Sequence, residues 1–308
     1  MTLCRLALLP LLPLVAWSGT DRVWIEVDGQ PFTTFYYGQD SRLQSNKPYL
    51  APLRSASGKI VTRQYPMEKI EGESRDHVHH TGLWFSYDDV NGVKFWENDS
   101  SYKAPNKGKI VVESGGGLKP GAGSTVLKVV LAWKGPDDKT ILRENRVMTF
   151  ISKPALRIID FDITLTAIQK VVFGDTKEGA FAIRLADALA EKNGTGKMVN
   201  AEGAEGMKNV WGKRSNWVDY FGTLEGEQLG VAIFDHPSNP RHPTYWHSRD
   251  YGLFALDPFG QHAFDASAPE SHWTVEAGGS LHFRWRVVIH NGDTVSAHIP
   301  ELYEVYAK

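Results

Sequence analysis

The chain has 308 residues, 42% hydrophobic and 23% charged, which is enough to bury a large core and too apolar for a disordered chain. A formal net charge of -2 lacks the basic excess that nucleic acid or an anionic membrane surface attracts. Ten Trp and a single Cys set the remaining bounds.

Residues 1–18 read as a secretory leader. Arg5 supplies the positive end, and Leu6 to Ala16 is an apolar run interrupted by Pro10 and Pro13. Ala16-Trp17-Ser18 then offers small residues where a signal peptidase reads. The run is too short to span a bilayer. The only cysteine, Cys4, lies inside it, so residues 19–308 are expected to be a secreted or periplasmic chain without disulfides, membrane spans or lipid anchor.

From Val23 the pattern has period two. Val23 to Val27 meets Asp28-Gly29 and returns through Phe32 to Tyr37, a hairpin. Leu83 to Tyr87 meets Asn91-Gly92 and is expected to return as a strand over Val93 to Trp96. Residues 109–113, 124–133, 140–150 and 155–167 read as four more strands, with Gly115-Gly116-Gly117 and Gly135-Pro136-Asp137-Asp138 as turns. Leu281 to Ile289 alternates, with Leu281, Phe283, Trp285, Val287 and Ile289 on one face. Long strands with one apolar face require a second sheet, and no βαβ alternation is present. The expectation is one all-β domain over 19–308, a large antiparallel two-layer sandwich. A short helix closes it over Glu301 to Ala307, and a shorter one near Ala186 to Glu191 is the other candidate. The alternative is two β domains split near 192–216.

Three stretches carry ionisable chemistry. Asp76-His77-Val78-His79-His80 packs three imidazoles beside a carboxylate, and histidine both transfers protons near neutrality and ligates metals. In an extended backbone His77 and His79 share a face, where they would chelate a divalent metal with a third ligand from His80, Glu178, His236 or His247. Gly174 to Gly179 brackets Glu178 with glycines, and Arg184 follows on the next strand as a clamp for carboxylate or hydroxyl. Asp235 to Arg249 is stiffened by prolines and presents His236, Trp246, His247 and Arg249, with Tyr251 beyond. Trp217, Tyr220, Trp246 and Tyr251 supply the flat faces that suit a sugar ring.

These motifs together resemble the secreted PmoA-like family, whose domain carries the label "methane oxygenase PmoA". The likeness rests on Asp76-His77-Val78-His79-His80 running into Leu83-Trp84, Asp89-Val90-Asn91-Gly92 before Phe95-Trp96, and Gly174-Asp175-Thr176-Lys177-Glu178-Gly179. Trp217-Val218-Asp219-Tyr220, Asp235-His236-Pro237 with Asn239-Pro240, and Trp246-His247 through Tyr251-Gly252 to Pro258-Phe259-Gly260 complete it. Val78 stands where Pro is usual, Thr81 where Arg is usual and Asp257 where Asn is usual. The resemblance implies the galactose-mutarotase-like supersandwich, in which a His and a Glu commonly do acid–base work on a sugar.

The leading expectation is therefore an exported carbohydrate-active hydrolase, lyase or epimerase. His79 or His80 would be its acid and Glu178 or His247 its base. Arg184 and Arg249 would clamp the substrate, Trp246 and Tyr251 would stack on it, and Asp76, Trp217, Asp219 and His236 would make further contacts. The alternatives are a metal-dependent hydrolase or oxygenase built on His77 and His79, and a non-catalytic sugar-binding protein. The sequence carries no sign of oligomeric state.

Overall fold

The computed structural model describes residues 21–37, 46–97 and 99–308. The expected leader lies outside the described residues. Seventeen strands run in chain order: β1 (Arg22–Val27), β2 (Gln30–Tyr36), β3 (Tyr49–Leu50), β4 (Leu83–Tyr87), β5 (Lys109–Gly121), β6 (Ser124–Lys134), β7 (Thr140–Lys153), β8 (Leu156–Ala167) and β9 (Val171–Phe173). They continue as β10 (Gly179–Arg184), β11 (Lys197–Asn200), β12 (Trp217–Leu224), β13 (Glu227–Asp235), β14 (Tyr245–Trp246), β15 (Leu253–Asp257), β16 (Trp273–Val275) and β17 (Ser280–Asn291). Among the described residues two short α-helices, α1 (Met207–Val210) and α2 (Ile299–Tyr306), complete the elements, with one 3-10 turn at Asp187–Leu189 where a short helix was expected.

A seven-stranded sheet has the order β1-β2-β3-β4-β10-β15-β14, and an eight-stranded sheet the order β11-β12-β13-β17-β8-β7-β6-β5. Every ladder in both is antiparallel, as the all-β reading requires. The alternation of β17 explains the layering. Leu281, Phe283, Trp285, Val287 and Ile289 enter the core, while His282, Arg284 and Arg286 face outward. Across the interface the Trp285 ring lies 5.4 Å from Phe85 and 4.9 Å from Phe181. Burying one such aromatic contributes about 2–3 kcal/mol, so the interface dominates cohesion. The outer face of the eight-stranded sheet is covered by α2, which lays Ile299, Tyr303 and Tyr306 on Trp217, Phe234 and Val288.

Two local expectations are corrected. Val93 to Trp96 does not return as a strand: it makes bridges at Val93 and Lys94 and one bond from Phe95 N–H to the Tyr87 carbonyl. Phe95 is needed in the main core and Trp96 on the outer face of the seven-stranded sheet, so this segment passes over the sheet end rather than along it. Gly115-Gly116-Gly117 is no turn but part of β5, where the register slips twice. Gly115 has φ +98°, and a Cβ there would sit 2.3 Å from the Lys128 carbonyl oxygen, so only glycine permits this bulge.

A candidate active site on the outer face of the seven-stranded sheet

The register places Tyr49, Trp84, Ala182 and Ala255 side by side across β3, β4, β10 and β15. The His247 N–H donates to the Ala255 carbonyl at 2.7 Å, which extends the row. Directly paired residues share a face, and adjacent strands stand about 4.8 Å apart. Two alanines therefore sit between a tryptophan and a histidine, so side-chain volume dips along the row, although all four residues are buried.

On one bank stands the histidine cluster. Residues 77–80 form a turn, closed by the His80 N–H donating to the His77 carbonyl at 2.9 Å, and His77 has φ +43°. This corrects the expected chelating pair, because in a turn i and i+3 meet instead of i and i+2. His77 stacks on His80 at 4.7 Å and 8°, and meets His79 edge-on at 5.8 Å. Tyr251 stacks on the other side of His77 at 5.2 Å, and His80 continues onto Trp84 at 5.3 Å. Among the described residues no group of three His, Cys, Asp or Glu side chains is arranged to hold a metal ion.

Asp76 and Arg184 support this turn. The Arg184 guanidinium, fully buried, donates to Asp76 Oδ1 at 2.8 Å and to Ser74 Oγ at 3.2 Å, and lies 3.4 Å from His80 Nδ1. Arg63, also fully buried, donates to the Asp76 carboxylate, to the His77 carbonyl at 3.0 Å and to the His80 carbonyl at 3.2 Å. Burial pushes the Asp76 carboxyl up, but Arg184 and Arg63 together hold it below the usual range. Arg184 therefore spends its two terminal nitrogens within the protein, while its Nε has no partner. Because a guanidinium only donates, the contact with His80 leaves Nδ1 as the acceptor and the ring neutral.

Two imidazoles of the turn are pushed toward neutrality. Burial, and then the charge of Lys47, lowers His79 to about 3, although Asp99 lies 3.7 Å from its Nδ1. Burial with His79 and Arg184 nearby lowers His80 well below its ordinary value. A ring neutral at pH 7 accepts a proton rather than supplying one, which argues against the acid role expected of His79 or His80. The sequence reading missed Lys47. It is buried, bonds the Trp96 carbonyl, and holds its Nζ 5.4 and 5.6 Å from the Trp84 and Trp96 ring centroids. Burial lowers it to about 7 against the opposing pull of Asp99, Asp88 and Glu97. Nothing in Lys47-Pro48-Tyr49 distinguishes this lysine from a loop lysine; only the tertiary fold between two indoles does.

On the other bank, His247 is buried and its Nδ1 lies 2.8 Å from the Lys177 carbonyl. The carbonyl can only accept, so Nδ1 carries the hydrogen and Nε2 is the free acceptor. Burial lowers His247 to about 4, with Glu178 pulling the other way. Glu178, at the mouth of β10, pairs with Lys177 at 2.8 Å. Arg249 is two residues on, and the Arg184 guanidinium stands 4.7 Å over the Tyr251 ring. With His77 on one face and Arg184 over the ring, Tyr251 is a built part of the wall. Trp211, which the sequence reading did not single out, approaches His247 at 6.5 Å.

Asp76, His77, His79, His80, Glu178, Arg184, His247, Arg249 and Tyr251 thus share one face. Trp217, Asp219, His236 and Trp246 do not, which corrects the expectation that they join it. Trp217 lies beneath α2 in the opposite layer. His236 packs against Tyr306 there at 5.1 Å and accepts from Arg284. Asp219 is buried against His290 Nε2 at 2.9 Å and the Thr294 hydroxyl at 2.6 Å. Trp246 belongs to the main core, its Nε1 donating to the Ser215 carbonyl. Trp217, Asp219 and Trp246 lie on β12 and β14 and His236 directly follows β13; sheet membership and facing, which local sequence does not specify, separate them from the site.

Fold and site define a two-layer antiparallel sandwich with neutral imidazoles and a perturbed lysine gathered on one outer face. The chain belongs to the family of unknown function DUF6807, whose model matches residues 22–304. No curated protein matches it. Among solved structures it is similar to a β-arabinopyranosidase, at 10% identity and TM-score 0.47 over 88% of this chain and 40% of that one. It is also similar to the GH36 α-galactosidase AgaA from Geobacillus stearothermophilus, at 9% identity and TM-score 0.44 over the same shares. A third is the galactosidase domain of the α-galactosidase-sucrose kinase AgaSK, at 8% identity and TM-score 0.45 over 85% of this chain and 40% of that one. The chain thus spans about 40% of the length of these structures.

Proposed function

We propose that the protein is an exported enzyme that moves protons on a carbohydrate bound in the dip between Trp84 and His247. The observation that carries this reading is the gathering of His77, His79, His80, Tyr251, Glu178 and His247 on one face. Ser86 Oγ, Asp88 Oδ1, Arg249 Nε and the indole nitrogens of Trp84, Trp96 and Trp211 have no hydrogen-bond partner. A buried polar group left unpaired costs about 1–3 kcal/mol, so native proteins keep few of them.

His247 Nε2 and His79 serve as proton acceptors on the two banks, and Lys47, poised near neutral pH, supplies the proton. Glu178 lies at the mouth of the dip beside His247. Asp76 and Arg63 act as positioning residues for the histidine turn, and Arg184 joins them. The likeness to the PmoA-like family is part of the same proposal, read for the sugar enzymes of its fold rather than for the oxygenase label. Export rests on Arg5 and the apolar run of residues 6–16.

The test is turnover of a panel of free sugars and aryl glycosides followed by NMR, with His247→Ala and His79→Ala beside the parent. Loss of about a hundredfold or more in kcat for either variant, with unchanged folding, supports proton transfer. Unchanged rates in both remove the imidazoles from the mechanism, and binding without product under any condition makes the protein a lectin-like binder.

A further inference from the structure

The outer face of the eight-stranded sheet, the layer opposite the histidines, holds a groove of about 620 Å³ along the edge of α2. That volume lies within the roughly 300–1,000 Å³ of small-molecule sites. The register builds its floor in two rows. Thr149 of β7, Asp160 of β8 and Arg286 of β17 stand in one, and Val147, Asp162 and Arg284 in the next. The wall is α2, from which Val305 projects 68% exposed. The first row is closed: Arg286 donates to the two Asp160 oxygens at 2.6 and 2.8 Å, and its guanidinium lies 4.6 Å over the Tyr306 ring. The second row is open. Asp162 and Arg284 are direct ladder partners, whose Cβ atoms stand about 4.5–5.5 Å apart, yet among the described residues they form no ion pair with each other. Arg284 instead donates one terminal nitrogen to His236 Nε2 at 2.9 Å, and Asp162 Oδ1 accepts from His282 Nε2 at 2.9 Å. Asp162 Oδ2 and two nitrogens of Arg284 are left for the groove, and solvent reaches them: the Asp162 side chain is 53% exposed and Arg284 is half-buried.

We infer that this groove is a second binding site, for a neutral saccharide, one of whose hydroxyls bridges Asp162 and Arg284. A hydroxyl is the group that fits between them, because it accepts from the guanidinium while donating to the carboxylate. The Thr149 hydroxyl, two residues and about 7 Å along β7 from Val147, offers both functions to a second hydroxyl across a ring-sized gap. Val147 and Val305 supply the apolar contact that the C–H groups of a sugar take up. Charge selects against ionic ligands. Arg284, Arg286 and Lys308 line the groove together with Asp160 and Asp162, so an anion meets a carboxylate and a cation meets a guanidinium. The inference goes beyond the catalytic reading, since no residue assigned to proton transfer lines this groove.

The probes are a panel of neutral pentoses and hexoses, with glucuronate and glucosamine as charged counterparts, titrated into the ¹⁵N-labelled full chain. At least one neutral sugar is expected to move the amide signals of β8, β17 and α2 saturably, with both charged counterparts about tenfold weaker. Asp162→Ala and Arg284→Ala each remove one partner of the bridging hydroxyl and are expected to weaken binding about tenfold. Val305→Trp fills the groove without touching a charged group and is expected to weaken it as much. No saturable shift at these strands from any neutral sugar, or equal affinity for a charged counterpart, overturns the inference. Parent affinity in folded Asp162→Ala and Arg284→Ala overturns it as well. Shifts confined to the histidine face would sink the second site alone. Binding in the groove together with unchanged turnover in His79→Ala and His247→Ala would keep it and sink only the catalytic reading.

Discussion

Asp76→Asn separates two roles that sequence alone cannot. The parent carboxylate takes donors from two fully buried guanidiniums, Arg63 and Arg184, while itself 41% exposed. Removing one partner of a fully buried ion pair costs about 3–5 kcal/mol. Here solvent reaches the carboxylate and Asn retains one acceptor, so the expected loss is smaller, about 2 kcal/mol. For a chain of this size that lowers Tm by roughly 4 °C, readable by calorimetry or by urea denaturation. Arg184→Gln in the same background closes a double-mutant cycle. Because both arginines answer to one carboxylate, the two losses are expected to fall short of additive by about 1 kcal/mol or more. The His77–His80 turn loosens with the pair, so kcat falls in parallel with stability. A substrate contact predicts the opposite pattern: KM rises, stability stays within about 0.5 kcal/mol of the parent, and the cycle is additive. That result would refute the scaffold role assigned to Asp76.

The other predictions concern charge and space. His290 and Asp219 are both fully buried; burial lowers the imidazole, but the Asp219 charge and hydrogen bond outweigh it and hold His290 above its ordinary value. The pair's stabilisation is therefore fully present below about pH 6.5 and fades as pH rises through the elevated folded value. His290→Gln, followed by urea denaturation, is expected to lose more stability at acid than at alkaline pH, and equal losses would contradict the pairing. Lys47, depressed to about 7, makes folding less favourable as pH falls from the unfolded value toward neutrality. Lys47→Met is expected to flatten that slope and stabilise the fold at neutral pH by about 2 kcal/mol while abolishing turnover; an unchanged slope would show that the lysine is solvated. Ala255→Leu fills the dip. Loss of ligand affinity with a stability change under about 1 kcal/mol is expected, whereas a loss of about 1–3 kcal/mol would mean the space above Ala255 is already packed.

What the sequence made legible followed from periodicity. The alternation in β8 and β17 names its own core face, Asp28-Gly29 names its hairpin, and the C-terminal helix lies within two residues of its expected start. The histidine cluster was legible as chemistry, but its geometry was not. Residue spacing predicts a strand pair of His77 and His79, while two arginines 13 and 108 positions from Asp76 fold the segment into a turn. Long-range ion pairs override local pattern there, because a buried guanidinium must find a carboxylate wherever the chain supplies one. The same asymmetry governs Asp219 and His236, whose types suggest ligand contact but which lie on and just after strands of the other sheet. It governs Lys47 in reverse, since an unremarkable loop residue becomes a perturbed acid only by lodging between Trp84 and Trp96. Residue type therefore reports which chemistry a chain is able to do, and the register of Trp84, Ala182, Ala255 and His247 decides where it does it. Two alanines in that row are the least conspicuous residues of the site.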